Sequence, residues 1–307
     1  MFKRIAIIGS GALGSYYGAR LVQHGHDVHF LLRSDYAHVK ANGLQVFSHD
    51  GDFTLSADQL NVYDDVATMP QVDLVIVTLK TTANDTFPKL IKPLLHESTA
   101  ILTLQNGLGS DAQLADLFGG QRVLAGLAFI CTNRDGAGVV RHTDHGFIKL
   151  GEFERTGLTD RAKTLADLFA MAKVPCTAMA DIRYGQWEKL VWNVPFNGWG
   201  AVMDLETDRL LASDIGRTLV RETMLEVIAT AGAVGVDLPI ETAQKQIDRT
   251  ATMGAYVSSM QVDRRAKRPL ERQAIVGRPL AVAKATNLNT PRMQSLYDQL
   301  VVVDTLP

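Results

Sequence analysis

The sequence predicts an α/β protein: a doubly wound, mainly parallel sheet in the first half and an all-helical domain in the second. Three observations carry this. Ile5-Ala6-Ile7-Ile8, continuously apolar, feeds directly into Gly9-Ser10-Gly11-Ala12-Leu13-Gly14 and then a stretch, Ala12 to Gln23, that is apolar at helical spacing. A strand that is apolar throughout rather than alternating is buried on both faces, as strands of parallel sheets are. Strand-like and helix-like segments then alternate, which implies βαβ units. From about Leu158 the strand signals fade, and residues 181 to 300 read as helices.

Taken in order, the strand at 5–8, the G-x-G-x-x-G turn and the helix from Ala12 form the fingerprint of a Rossmann-type dinucleotide-binding domain. Gly9 allows the tight turn, Gly11 lets a pyrophosphate approach the backbone, and Gly14 lets helix and strand pack closely. The anion then sits at the helix N-terminus, among free N–H groups and the positive end of the dipole. Without a ligand, the same residues would be only a glycine-rich turn. His26 to Leu32 reads as strand two, with Arg33 just beyond its end. An acidic residue there favours the ribose hydroxyls of NAD; an arginine accommodates the 2′-phosphate of NADP. Arg33 therefore predicts NADP(H), with Asp35, two residues on, as the competing ribose ligand.

Val72 to Leu79 reads as another buried strand, Ala83 to Leu95 as a helix interrupted near Pro88, and Ala100 to Leu104 as a strand ending at Gln105-Asn106-Gly107. Residues 110–118 read as a helix. Val123 to Cys131, Gly138 to His142 and Gly146 to Leu150 read as strands joined by turns at Asp135-Gly136 and Asp144 to Gly146, an antiparallel extension of the sheet. The expected helices of the second half are Asp181 to Met203, Leu205 to Val234, Pro239 to about Ser259, and Arg272 to Ala285. The division falls near residue 178, giving a dinucleotide-binding domain over 1–178 and a helical substrate domain over 179–307. The short hinge makes the cleft between them the expected substrate site.

Composition narrows the function classes. The chain has 307 residues and a formal net charge of −2, which points to neither nucleic acid nor an acidic membrane surface. Cys131 and Cys176 are too few for a disulfide framework, and both read as buried, inert thiols. Neither has metal-ligand spacing. His24, His26 and His29 cross a helix–strand boundary, so no metal is expected. The apolar run before Gly9 is too short for a signal peptide, and no segment approaches the about 18 apolar residues of a membrane span. A soluble cytoplasmic protein acting on a small molecule, as monomer or homodimer, is the expectation.

The sharpest constellation is Trp187-Glu188-Lys189-Leu190-Val191-Trp192-Asn193-Val194-Pro195-Phe196-Asn197. Lys189, Asn193 and Asn197 recur every four residues, which puts an ammonium and two amides on one face of an otherwise apolar helix. Buried polar groups need partners. A substrate oxygen is one; loop backbone, with Lys189 reaching solvent, is the other. Pro195 is expected to kink the helix by removing an N–H and crowding the Val191 carbonyl. Ser258-Ser259-Met260 offers hydroxyls to a carboxylate. The basic run Asp263 to Arg268 and Glu271 beyond Pro269 also fit a solvated face and a helix start.

These motifs together resemble the ketopantoate reductase family. GSGALG, LLR at 31–33, TLK at 78–80, QNG at 105–107, WEKLVWNVPFN, SSM and RPLE occur in order, and the similarity runs from residue 3 to about 300. The resemblance implies NADPH-dependent reduction of 2-dehydropantoate (ketopantoate) to pantoate in pantothenate and coenzyme A biosynthesis. It implies Lys189 as general acid, and Asn106, Asn193, Asn197, Ser259 (substrate carboxylate) and Glu271 (substrate hydroxyl) as substrate contacts. It also implies Gly9, Ser10, Gly11, Ala12, Leu13, Gly14, Arg33, Lys80 and Asn106 as cofactor contacts. The last motif departs from the family pattern: Leu270-Glu271-Arg272-Gln273 replaces Thr-Glu-Ile-Asp, Val276-Gly277 replaces Asn-Gly, and Tyr256 stands where some members have Asn. Other outcomes are a paralogue reducing a different branched 2-oxo acid and a non-catalytic NADP(H) sensor. A hydroxyacyl or sugar-acid dehydrogenase would want a histidine base, which the 187–197 helix lacks.

Overall fold

The computed structural model of the chain describes residues 2–305; Met1, Leu306 and Pro307, the outer ends of the two expected domains, lie outside the described residues. It divides into two compact units. One comprises the residues up to Gln105 together with Ser110–Ile182; the other comprises Asn106–Gly109 and the residues from Arg183 onward.

The first unit is built on one ten-stranded sheet. Its strands are β1 (Arg4–Ile8), β2 (Asp27–Leu31), β3 (Leu44–Ser48), β4 (Phe53–Leu55), β5 (Asn61–Tyr63), β6 (Val72–Val77), β7 (Leu95–Thr103), β8 (Val123–Arg134), β9 (Val139–Glu152) and β10 (Cys176–Ala178). The order is β4-β3-β9-β8-β7-β6-β1-β2-β5, with β10 beside β9. β1 lies between β2 and β6, parallel to both. Its alternate residues enter two different cores: Ile5 and Ile7 one side, Ala6 and Ile8 the other. That two-sided burial is what the unbroken apolar run specifies. Around the sheet run α1 (Ala12–Gln23), α2 (Tyr36–Asn42), α3 (Phe87–Ile91), α4 (Ser110–Phe118) and α5 (Asp160–Met171).

Two expected elements of this unit differ. The helix expected over 83–95 is 3-10 turns at Thr81–Thr86 and Lys92–Leu94 flanking the short α3, and β7 already begins at Leu95. Pro88 and Pro93 each remove an N–H that a longer helix would need. The strands expected at 138–142 and 146–150 are one strand, β9. What reads as a turn between them is a bulge: His145 and Gly146 take φ of 62° and 116°, and the pairing with β8 slips between Phe129 and Ile130. Turns and bulges draw on the same residues because both need positive φ.

The second unit is helical: α6 (Ile182–Met203, starting on the last residue of the first unit), α7 (Thr207–Leu210), α8 (Asp214–Ala233), α9 (Glu241–Ala251), α10 (Ser259–Arg265), α11 (Arg278–Ala285) and α12 (Pro291–Thr305). α6 continues through Pro195 as a single assigned helix of 22 residues. The helix expected over 205–234 is two, because Ser213 caps α8 by accepting from the Gly216 N–H. α9 stops at Ala251, short of Ser259. The segment from Arg272 opens with a π turn, Gln273–Gly277, before α11. α12 falls largely within the stretch to residue 300 that reads as helical, though no separate helix is expected beyond Ala285; it buries Met293, Leu296 and Leu300 in the core of this unit.

Candidate functional site

In the first unit the glycine turn has the shape the fingerprint requires. Gly9 has φ 102°, and a Cβ there would stand 2.4 Å from the Leu79 nitrogen. A Cβ on Gly14 would stand 2.4 Å from the Thr78 hydroxyl and 2.6 Å from the Gly9 carbonyl oxygen. Thr78 Oγ1 donates to that carbonyl at 2.8 Å, tying the turn to the end of β6. Gly11 is different: the only atom near its missing Cβ is the Gly9 carbonyl oxygen, at 3.9 Å. The space over Gly11 is therefore open at the start of α1, where N–H groups point outward. Beside it, the buried Ser10 Oγ has no hydrogen-bond partner among the described residues. An orphaned hydroxyl, an open glycine face and a helix N-terminus fit a dinucleotide pyrophosphate. Gly9→Ala is expected to destabilise the fold by about 1–3 kcal/mol, measured by urea denaturation; an unchanged midpoint would contradict the close approach to Leu79.

Arg33 and Asp35 separate clearly. The Asp35 carboxylate is buried, ion-paired with Arg134 and accepting from Ser34 Oγ at 3.0 Å. Arg33 is exposed and forms no ion pair or hydrogen bond among the described residues. The acid is committed to the protein and the guanidinium remains for a ligand. Lys80, also exposed, caps the 3-10 turn from Thr81.

The second unit brings the other candidates together. Lys189 Nζ donates to Asn106 Oδ1 at 2.8 Å. Asn106 arrives from a four-residue turn 83 positions earlier in the chain. Glu271, 4% exposed, faces the same ammonium electrostatically. Burial of the ammonium end lowers the Lys189 pKa, the Glu271 charge opposes it, and the net is about 8. One helical turn along α6, Asn193 is 4% exposed, and its amide has no hydrogen-bond partner among the described residues. A further turn along, Asn197 Oδ1 accepts from Ser259 Oγ and from the Met260 N–H, both at 3.1 Å. Ser258 caps α10 through the Gln261 N–H, so of the two serines only Ser259 faces the Asn stripe.

The residues that depart from the family pattern are spent on scaffold. Arg272 Nε pairs with Asp304 at 2.8 Å, and Gln273 Oε1 accepts from the Tyr297 hydroxyl at 2.6 Å, both on α12. Leu270 is buried, and Tyr256 packs its ring near Trp192. Neither cysteine is fully buried; burial nonetheless pushes the Cys176 thiol up to about 12, which keeps it protonated.

A cluster the sequence reading did not anticipate is His49, Asp50 and His142 in the first unit. His142 is buried, with Ser48 Oγ at 2.9 Å from Nδ1 and the Asp144 and His145 carbonyls each at 3.2 Å from Nε2. Arg20 reaches the same serine at 3.2 Å, placing a buried positive charge beside the cluster. The imidazole is satisfied by these bonds, so the cluster reads as structural.

Residues 5–155 match the family model described as ketopantoate reductase PanE/ApbA, and residues 181–303 match its C-terminal counterpart. The chain is 44% identical to a 2-dehydropantoate 2-reductase of Nostoc sp. (strain PCC 7120) over 98% of this chain and 95% of that protein. Among solved structures, it is similar to 2-dehydropantoate 2-reductase from Geobacter metallireducens (TM-score 0.95, 46% identity, 97% and 99% of the two chains). It is also similar to the Methylococcus capsulatus enzyme of the same name (TM-score 0.88, 32% identity, 98% and 96%).

Proposed function

Because the chain belongs to the ketopantoate reductase family, we propose that it reduces 2-dehydropantoate to pantoate with NADPH, Lys189 being the general acid. The observation that carries this is the Lys189 ammonium on Asn106, held near a buried glutamate, beside an amide with no partner of its own. The Gly9–Gly14 turn would hold NADPH, with Arg33 for its 2′-phosphate and Lys80 nearby, and the cofactor would supply the hydride for the 2-oxo carbon. As the carbonyl carbon gains hydride, charge builds on its oxygen. Lys189 stabilises that charge and transfers a proton from Nζ to the oxygen, leaving a neutral amine and the product hydroxyl. Asn106 and Asn193 orient the reacting carbonyl. Ser259 turns its hydroxyl from Asn197 to the substrate carboxylate, leaving the Asn197 amide beside it, and the Glu271 carboxylate accepts from the substrate's terminal hydroxyl.

Glu271 has a second effect. Desolvation lowers the pKa of a buried lysine; the neighbouring anion raises it and favours the charged form. With a pKa of about 8, Lys189 is protonated about ten to one at pH 7. Reduction needs the protonated form, so kcat/KM, which reports the free enzyme, is expected to be flat below neutrality and to fall about tenfold per unit above pH 8. In Glu271→Gln that alkaline limb should move to lower pH. An unmoved limb would separate the limb from Lys189.

The test of the reading is NADPH oxidation at 340 nm by the purified protein with 2-dehydropantoate and other branched 2-oxo acids. Preferential turnover of 2-dehydropantoate supports it. Turnover of a different acid alone would retain the mechanism and reassign the substrate. Tight NADPH binding with no turnover of any of them would favour the sensor reading.

A further inference from the structure

Asn106 lies far from Lys189 in sequence, yet its carbonyl oxygen must stay on the ammonium. The Leu108 N–H of the same turn donates to the Ala274 carbonyl at 2.9 Å. That acceptor exists for a local reason. Residues Gln273–Gly277 form a single π turn immediately after Glu271, and in a π turn each carbonyl pairs with the N–H five residues on. The Gln273 carbonyl receives the Arg278 N–H. The residue due to Ala274 is Pro279, which has no N–H. The Ala274 carbonyl is thereby left without its helical partner, and Leu108 takes it. A buried carbonyl must find a donor, which makes the contact obligatory.

Gly107 makes the approach possible. Its φ is 81°, and a Cβ there would stand 2.3 Å from the Ala274 carbonyl oxygen and 2.4 Å from its carbon. No side chain fits between the two backbones. The π turn is pinned from the other side by Tyr297, whose hydroxyl donates to Gln273 and accepts from Arg272 at 3.2 Å. Glu271 precedes the turn and Asn106 precedes Gly107, so one carbonyl sets the spacing of both groups that act on Lys189.

We propose that the π turn, vacated by Pro279 and met by Gly107, is a positioning device that fixes Asn106 on the Lys189 ammonium. Pro279, Ala274 and Gly107 are positioning residues; none touches substrate. The proposal rests on Lys189 being the acid. An acceptor on an ammonium favours its charged form, so slackening the device lowers the lysine's pKa as well as misaligning it.

Three variants test this: Pro279→Ala, Gly107→Ala and Lys189→Ala, each assayed for kcat, KM, pH profile, NADPH affinity and melting temperature. Pro279→Ala restores the missing N–H, which competes with Leu108 for the Ala274 carbonyl. Its melting temperature should change little, because Pro279 stands in the first turn of α11, where proline and alanine are both tolerated. Its kcat should nonetheless fall about 10-fold, and that of Gly107→Ala about 100-fold, the scale of an ångström-sized misplacement. In both, the alkaline limb should move to lower pH, with NADPH affinity unchanged. A merely structural role would lower the melting temperature and leave the limb in place. If Lys189→Ala loses turnover while folded Pro279→Ala keeps wild-type kcat and limb, the positioning device is wrong and the acid reading stands. Full turnover in Lys189→Ala would overturn both. Should Gly107→Ala not fold, Pro279→Ala decides alone.

Discussion

Lys189→Ala is expected to lower kcat for 2-dehydropantoate about 100- to 10,000-fold, with NADPH affinity changed less than about twofold. The asymmetry follows from where the residue sits. Lys189 is on α6 of the second unit, whereas the expected pyrophosphate cradle, Gly9 to Gly14, belongs to the first. The lysine contributes most when charge has reached the substrate oxygen, so the loss should appear in kcat rather than KM. Truncation also strands neighbours: Asn106 loses its donor, and buried Glu271 loses the positive charge it faces. A buried carboxylate without a cation is costly, so the melting temperature must be followed in parallel. Turnover near wild type in a folded Lys189→Ala protein would rule out the proton donor.

Arg33→Ala is expected to weaken NADPH by roughly 10- to 150-fold, about 1.5–3 kcal/mol, the worth of hydrogen bonds to a charged group. NADH, which has no 2′-phosphate, should be nearly unaffected. The competing carboxylate is accounted for: Asp35 is paired with Arg134 and buried. A ribose-binding role for Asp35 would require breaking that pair. Titration of both cofactors by fluorescence decides it. Equal losses for NADPH and NADH would remove the phosphate clamp.

What the sequence made legible depended on how local each cause is. The β1–turn–α1 unit could be read from its own spacing: Gly9 and Gly14 answer close approaches, chiefly from Thr78 and Leu79, and Gly11 leaves open space at the helix start. The Lys189, Asn193, Asn197 stripe could be read from helical periodicity alone. The bond between Lys189 and Asn106 could not; it spans 83 positions, and the resemblance to a family implied only that each lies near the substrate. The bulge at His145-Gly146 was read as a turn because the residues that permit positive φ do not say whether the chain reverses. α12 escaped because its buried Met293, Leu296 and Leu300 are interleaved with Gln, Ser, Asp and Tyr, which dilutes the apolar pattern. The π turn has no propensity signature of its own; Pro279 is its one trace in the sequence, and that trace is intelligible only once the Leu108 bond is known.

The membership of Asn106–Gly109 in the helical unit bears on the gene rather than the enzyme. Four codons from the midst of the first unit's coding sequence encode a piece of the proposed proton-donor assembly. A crossover at the 182/183 junction would therefore not exchange clean modules. It would graft one ancestor's Asn106 turn onto another ancestor's Ala274 carbonyl and Lys189. If the proposed device holds, chimaeras cut there inherit mismatched halves of it and are expected to fold yet lose turnover.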